Sequence, residues 1–141
     1  MPHRFAFVLA ALSGLAAAGV AQAQPTVIPL DATRDIDGVQ VACTGIGQTK
    51  QDPKWLAFSV RVEFARADGN YLANETLTLM GPGGPRFTVA CEGPWVLLGL
   101  PAGAYRLQGQ SSEAGTSPIT QTATAPAQGQ ARVIMTFPNA H

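Results

Sequence analysis

Strict alternation of apolar and polar residues between positions 56 and 65 constrains the fold of this chain more than any other feature. The apolar residues are Leu56, Phe58, Val60, Val62 and Phe64, and between them lie Ala57, Ser59, Arg61, Glu63 and Ala65. Successive side chains of a β-strand point to opposite faces, so a period of two indicates one buried and one solvated face. The pattern predicts a strand over 56–65 with Arg61 and Glu63 on its wet face.

Short extended segments separated by turn signals fill most of the remaining chain. The segments are 36–43, 71–80, 86–91, 95–98, 104–109, 119–125 and 131–137, and the clearest turns are Asp68-Gly69-Asn70 and 81–85. The Thr/Gln-rich segment 119–125 has the composition of an edge strand. Closely spaced turns without a helix-length apolar stripe favour an antiparallel β-sandwich of seven or eight strands with Greek-key connections.

The N-terminal segment has the features of a secretory signal peptide over residues 1–23. Arg4 provides a positive charge, an apolar run follows, and Ala21-Gln22-Ala23 is a small-residue cleavage site. A transmembrane anchor is the alternative, but an Ala/Gly-rich run of roughly 16 residues is short for a span. We therefore expect a periplasmic or secreted protein with no membrane span after cleavage.

The mature chain would hold one domain and carry almost no net charge. Residues 24–35 contain Pro25 and Pro29 and are predicted to be a flexible lead-in, whereas 36–138 form the domain. Loss of Arg4 leaves eight cationic against nine acidic side chains, a net charge of about −1. A basic stripe that would neutralise phosphates is absent from the sequence, so we expect no nucleic-acid partner.

Cys43 and Cys91 are the two cysteines of the chain. In an oxidising compartment an even pair predicts one disulfide. Two free thiols or a two-cysteine metal site are the alternatives, although no histidine lies near either cysteine in sequence to complete a zinc site.

The sequence offers little support for catalysis. The two histidines are His3, in the predicted signal peptide, and His141, the last residue, so mechanisms that need a positioned imidazole are not expected. Asp31, Asp35 and Asp37 suggest calcium but lack the later glutamate of an EF-hand loop. A Glu63/Glu75 pair is a conceivable glycosidase site, whereas ordinary surface charge is the simpler interpretation of both. We expect no enzyme, metal or cofactor.

Aromatic side chains are the remaining candidates for ligand contact. Trp95 lies in an apolar run and is predicted to be buried. Trp55 is out of phase with the inner face of the following strand, which makes it, with Tyr71, a candidate for an exposed contact with a sugar or a partner.

Three motifs resemble those of the carboxypeptidase regulatory-like domains, which have a prealbumin-like (transthyretin-type) sandwich. The motifs are Asp68-Gly69 with Tyr71-Leu72-Ala73, Glu92-Gly93-Pro94-Trp95, and Leu100-Pro101-Ala102-Gly103-Ala104-Tyr105, within a likeness that covers about 36–138. Small exported bacterial proteins carry such a domain alone. The resemblance implies a seven-stranded sandwich, and it says little about function because the domain is an accessory in many systems.

The last of these motifs also has a physical interpretation of its own. Pro101 fixes its backbone, Gly103 permits positive φ, and the Tyr105 hydroxyl can bond back to the main chain, so the three residues are predicted to form a structural corner.

With no catalytic group in evidence, the sequence predicts a non-catalytic module that binds a protein or an envelope component. Carbohydrate binding through surface aromatics is the alternative, and a carboxylate-dependent hydrolase is third.

Overall fold

Two five-stranded sheets face each other in the computed structural model, which describes residues 24–141. The strands are β1 (Thr26–Ile28), β2 (Thr33–Ile36), β3 (Val39–Thr44), β4 (Val60–Arg66), β5 (Glu75–Gly81), β6 (Gly84–Cys91), β7 (Trp95–Gly99), β8 (Gly103–Gln110), β9 (Ile119–Ala125) and β10 (Ala131–Phe137). Sheet A has the order β1-β6-β5-β8-β9, and sheet B has the order β10-β4-β7-β3-β2. The predicted β-sandwich is confirmed, and the predicted signal peptide lies outside the described residues.

Strand number and direction differ from the prediction. The described chain has ten strands rather than seven or eight, and both sheets are mixed, because β1 pairs in parallel with β6 and β10 pairs in parallel with β4. Alternation within a segment shows which side chains face the core, but it carries no information about the direction of the neighbouring strand. The all-antiparallel expectation was therefore wrong at these two pairings.

The predicted flexible lead-in, residues 24–35, contributes to both sheets. β1 lies at the edge of sheet A and β2 at the edge of sheet B, and the Ile28 side chain is fully buried in the core. Backbone hydrogen bonds join the intervening turn to β3, from Asp31 N to the Cys43 carbonyl and from Cys43 N to the Ala32 carbonyl. The expectation of a segment outside the domain was wrong, because strands of three and four residues are too short to show a periodicity.

The strand predicted over 56–65 begins only at Val60. Two short 3₁₀ helices, Gln48–Gln51 and Pro53–Ala57, precede it. Pro53 opens the second one, and the Asp52 side chain accepts a hydrogen bond from Lys54 N, which is a standard way to satisfy the start of a helix. These local signals override the alternation at Leu56 and Phe58.

The core lies between the sheets and is built from alternate residues of facing strands. Val62 and Phe64 of β4 and Leu77 and Leu79 of β5 are among its buried members. The predicted disulfide between Cys43 and Cys91 is confirmed, so the free-thiol and metal alternatives no longer apply. Since it links β3 to β6, it joins sheet B covalently to sheet A.

The corner between β7 and β8 is closed by a side-chain bond. The Tyr105 hydroxyl donates to the Pro101 carbonyl oxygen at 2.7 Å. Gly103 has a φ of 153°, a conformation that residues with a Cβ rarely adopt. The three residues thus hold the chain as it passes from sheet B to sheet A.

Candidate functional site

Glu63 lies on the outer face of sheet B and is nevertheless fully buried. Arg61 precedes it by two residues on β4, Arg132 lies on the neighbouring strand β10, and Trp95 is its register partner on β7. The ring of Tyr71, which follows the 68–70 turn, reaches back to it. We call Glu63, Arg61, Arg132, Tyr71 and Trp95 the Glu63 cluster. The predicted outer-face position of Glu63 is confirmed, whereas its expected exposure to solvent was wrong, because these neighbours cover it.

Four hydrogen bonds saturate the Glu63 carboxylate. Tyr71 donates its hydroxyl to Oε1 at 2.6 Å, and Arg132 Nη2 donates to the same oxygen at 3.1 Å. Arg61 Nε donates to Oε2 at 3.2 Å, and Arg132 Nε also donates to Oε2. Charge-assisted bonds of this kind are the strong ones in proteins. The carboxylate is therefore an anchor that orients two guanidinium groups and one phenol.

The charge state of Glu63 follows from these contacts. Burial alone raises its pKa, but the hydrogen bonds from Arg132 and Tyr71 and the charges of Arg61 and Arg132 outweigh burial and leave the pKa below its usual value. The same pairing raises the pKa of Arg132. Glu63 is thus ionised at neutral pH and has no proton to donate as a general acid.

Aromatic and cationic groups are interleaved around this anchor. The Tyr71 ring meets Trp95 edge-on, with centroids 6.1 Å apart and planes at 83°. The Arg61 guanidinium lies 4.4 Å and the Lys50 ammonium 5.9 Å from the centre of the Trp95 ring. Trp95 is buried as predicted, although under these side chains rather than between the sheets. Its Nε1 has no hydrogen-bond partner within residues 24–141.

Trp55, the other predicted contact, is not at the surface. Only 3 % of the residue is exposed, and it packs on Ala42 and Leu97 on the outer side of sheet B. Its Nε1 donates to the Thr49 carbonyl at 2.7 Å. The expectation of an exposed Trp55 was wrong because the second 3₁₀ helix turns the indole inward, whereas Tyr71 remains 43 % exposed.

Glu75 is also buried, but its pKa is raised, whereas that of Glu63 is lowered. It is fully buried at the start of β5, where Ser111 Oγ donates to Oε1 at 3.2 Å and Oε2 has no partner among the described residues. Burial raises its pKa to about 7, and the charge of Glu113 adds to this, although the hydrogen bond from Ser111 acts against it. Glu75 and Glu63 lie on strands of different sheets, and both are buried, so the surface-charge interpretation of these two residues was wrong.

The three N-terminal aspartates do not converge. Asp31 accepts from Thr44 Oγ1, Asp35 accepts from Gln40, and Asp37 pairs with Arg86. Within residues 24–141 no group of three or more acidic, cysteine or histidine side chains is placed to hold a metal ion.

Sheet A has a polar outer face, and its edge strand β9 has no partner strand beyond β8 among the described residues, although β10 of sheet B runs close to it. Thr76, Thr78, Thr88, Gln108 and Gln110 line a groove of about 470 Å³ on this face together with Arg86 and others. β9 lies at the sheet edge as predicted and has β8 as its one neighbour in the sheet. Its outward side chains, Thr120, Thr122 and Thr124, continue the polar surface to the edge.

Sequence reasoning missed the Glu63 cluster as a unit. The Arg61-x-Glu63 spacing places both groups on one strand face, but the contributions of Arg132 and Tyr71 depend on pairings that only the fold supplies.

None of the helices in residues 24–141 has the length and apolar character needed to cross a membrane. Comparison with known proteins yields no matching family model and no matching curated protein.

Proposed function

We propose that this chain is an exported, non-catalytic β-sandwich that binds a protein or another component of the cell envelope through an open sheet edge. Export to the periplasm or the medium follows from the predicted signal peptide and is consistent with the disulfide. We further propose that the fold is the prealbumin-like Greek-key sandwich of the carboxypeptidase regulatory-like domains. The corner at Pro101, Gly103 and Tyr105 supports that assignment.

The observation that carries the binding proposal is the character of β9. Among the four edge strands of the described sheets, β1 and β2 have three and four residues, and β10 contains Arg132. β9 has seven residues and no charge, proline or bulge within it. Natural proteins usually protect long edges with such devices, because an unprotected edge accepts another strand.

A second feature of β9 supports the same proposal. The side-chain Oε1 of Gln121 is buried and has no hydrogen-bond partner among the described residues. An unsatisfied buried acceptor is costly. A strand added beside β9 would bring new donors to this edge.

Adjacent proline variants test edge binding. In an antiparallel strand the N–H and C=O of one residue point to one neighbour and those of the next residue point to the other. One of the variants Gln121→Pro and Thr122→Pro therefore removes a backbone hydrogen bond to β8 and lowers the melting temperature by roughly 10 °C. The other removes only a backbone N–H that points away from β8. We expect the variant with the unchanged melt to lose partners that the wild type recovers from an envelope extract.

Two results would contradict edge binding. One is full partner recovery by the variant with the unchanged melt. The other is failure of the wild type to recover any specific partner from repeated envelope extracts.

The non-catalytic part of the proposal has its own test. The pKa of Glu75 is raised to about 7, whereas Glu63 is held ionised, so of these two glutamates Glu75 is the one suited to act as a general acid near neutral pH. A broad hydrolase screen of the purified chain should detect no turnover. Turnover that disappears in Glu75→Gln would show that the chain is an enzyme.

A further inference from the structure

We propose that the outer face of sheet B around the Glu63 cluster binds an acidic polysaccharide, with a sugar ring on Tyr71 and its carboxylates near Arg61, Arg132 and Lys50. The inference goes beyond the proposed edge binding and narrows the carbohydrate alternative that the sequence suggests to one surface and one ligand class. The site lies on the sheet opposite to that of β9, so the two proposals can fail separately.

Charge at this surface favours an anionic ligand. Arg61 and Arg132 bond to one carboxylate, Glu63, that is itself fully buried, and Lys50 adds a third cation over the neighbouring Trp95 ring. The side chains of Arg132 and Arg61 are 51 % and 25 % exposed. Within the described residues Arg61 uses only Nε for Glu63, which leaves its two Nη groups for a ligand. Guanidinium groups held in this way match a carboxylate in geometry and charge.

Tyr71 provides a rigid platform for a sugar ring. It is 43 % exposed, and its hydroxyl is fixed by the 2.6 Å bond to Glu63 while its ring meets Trp95 edge-on. Because the fold already fixes the ring, little conformational entropy is lost when a ligand stacks on it. Aromatic rings with nearby polar groups are suited to molecules that have an apolar face and a polar rim.

The arrangement of charge distinguishes a polysaccharide from an acidic protein. Protein interfaces have an apolar centre that is depleted in charge, with polar groups at the rim. Here Arg61 and Lys50 lie over the Trp95 ring beside the exposed Tyr71, and the exposed aliphatic side chain next to them is Ile134, the register partner of Glu63. This set suits a chain of carboxylated sugars, in which one ring stacks on Tyr71 and the carboxylates bind the cations.

Titration with defined oligomers tests the ligand class. The mature protein is titrated with an oligogalacturonate, with the same oligomer after reduction of its carboxyl groups, and with a polyglutamate peptide, and binding is followed by calorimetry. We expect the acidic oligomer to bind, more weakly at higher salt, and the neutral oligomer to bind at least about tenfold more weakly. Equal binding of the neutral oligomer, or polyglutamate binding as tight as the oligogalacturonate, would overturn the proposal.

Matched variants locate the site. Tyr71→Ala should abolish binding. Lys50→Gln, which breaks no bond to Glu63, should weaken it severalfold, whereas Lys54→Gln should leave it unchanged. Lys54 is the matched control because it lies over the other tryptophan, 4.6 Å from the Trp55 ring. Equal effects of the two lysine variants would contradict the site.

Separate outcomes distinguish this inference from the edge proposal. Absence of oligogalacturonate binding, with partner recovery that still depends on β9, would overturn the polysaccharide site alone. Melting temperatures of all variants confirm that a loss of binding is not a loss of folding.

Discussion

Two buried glutamates on the described strands show how the same side chain behaves in opposite environments. Glu63 is surrounded by donors, and its pKa is lowered. Glu75 has one side-chain donor, an unpartnered oxygen and Glu113 nearby, and its pKa is raised to about 7. Burial penalises both carboxylates, so the hydrogen-bond donors and the sign of the neighbouring charges determine the direction of each shift.

The raised pKa of Glu75 makes stability depend on pH. Between pH 4.5 and about 7 the folded state keeps a proton that the unfolded state has lost, so stability falls as pH rises through this window. We expect the free energy of unfolding to decline by at most about 1.4 kcal/mol per pH unit there.

A substitution isolates this contribution. Glu75→Gln should remove the decline and raise the melting temperature at pH 8, where the wild type carries the buried charge. Denaturant titrations at pH 5, 6, 7 and 8 measure it, with the exposed Glu92→Gln as control. A decline of equal slope in wild type and Glu75→Gln would show that Glu75 is not its source.

Removal of the Glu63 carboxylate should lower the free energy of unfolding considerably. Glu63→Ala deletes an acceptor shared by Arg61, Arg132 and Tyr71, and charged hydrogen bonds contribute about 1.5–3 kcal/mol each when one partner is lost. Because both arginines keep partial contact with water, we expect a net loss of about 2 kcal/mol in urea denaturation. Destabilisation no greater than that of the exposed Glu92→Ala would contradict a structural role for the cluster.

Among the turns, the one between β6 and β7 requires glycine for reasons of space. A Cβ at Gly93 would clash with the Thr44 carbonyl oxygen, whereas a Cβ at Gly83 would meet nothing within 4 Å. Gly93→Ala should therefore destabilise the fold by about 1–3 kcal/mol, and Gly83→Ala should be close to neutral. Thermal melts of the two variants compare them, and similar melting temperatures would refute the close approach.

Individual strands were predictable to the extent that their sequences carried a local signal. The 68–70 turn, the edge strand 119–125 and the final strand 131–137 have turn residues or alternation, and the structure has them at those positions. β1 and β2 are too short for a period to appear. At Leu56 and Phe58 the period was present, but Asp52 and Pro53 begin a 3₁₀ helix.

The candidate site residues were likewise predictable only where the local sequence carried a signal. Burial of Trp95 could be inferred from its apolar run, whereas the burial of Trp55 depends on how the second 3₁₀ helix folds onto Ala42 and Leu97. The environment of Glu63 depends on β10, which is distant in sequence and pairs with β4 in parallel. Contacts between distant segments are the information that a single sequence does not contain.

For the whole molecule, the Cys43–Cys91 disulfide is a covalent cross-link between the two sheets in addition to the main chain. It closes a loop with a sequence separation of 48 residues, and loop entropy predicts roughly 4 kcal/mol of stabilisation. Verified reduction, or the double variant Cys43→Ala/Cys91→Ala, should lower the melting temperature by roughly 15 °C. An unchanged melt would show that noncovalent contacts between the sheets are sufficient without the bridge.

The most direct test of the central claim, that this sandwich binds a partner by extending sheet A, is hydrogen exchange along β9 in the complex recovered from the envelope. A docked strand would bond the outward backbone groups, so about half of the amides from Ile119 to Ala125 should exchange more slowly than in the free protein. β3 and β7, central in sheet B, should exchange equally in both states. Unchanged exchange throughout β9 in a complex that contains the partner would contradict the account.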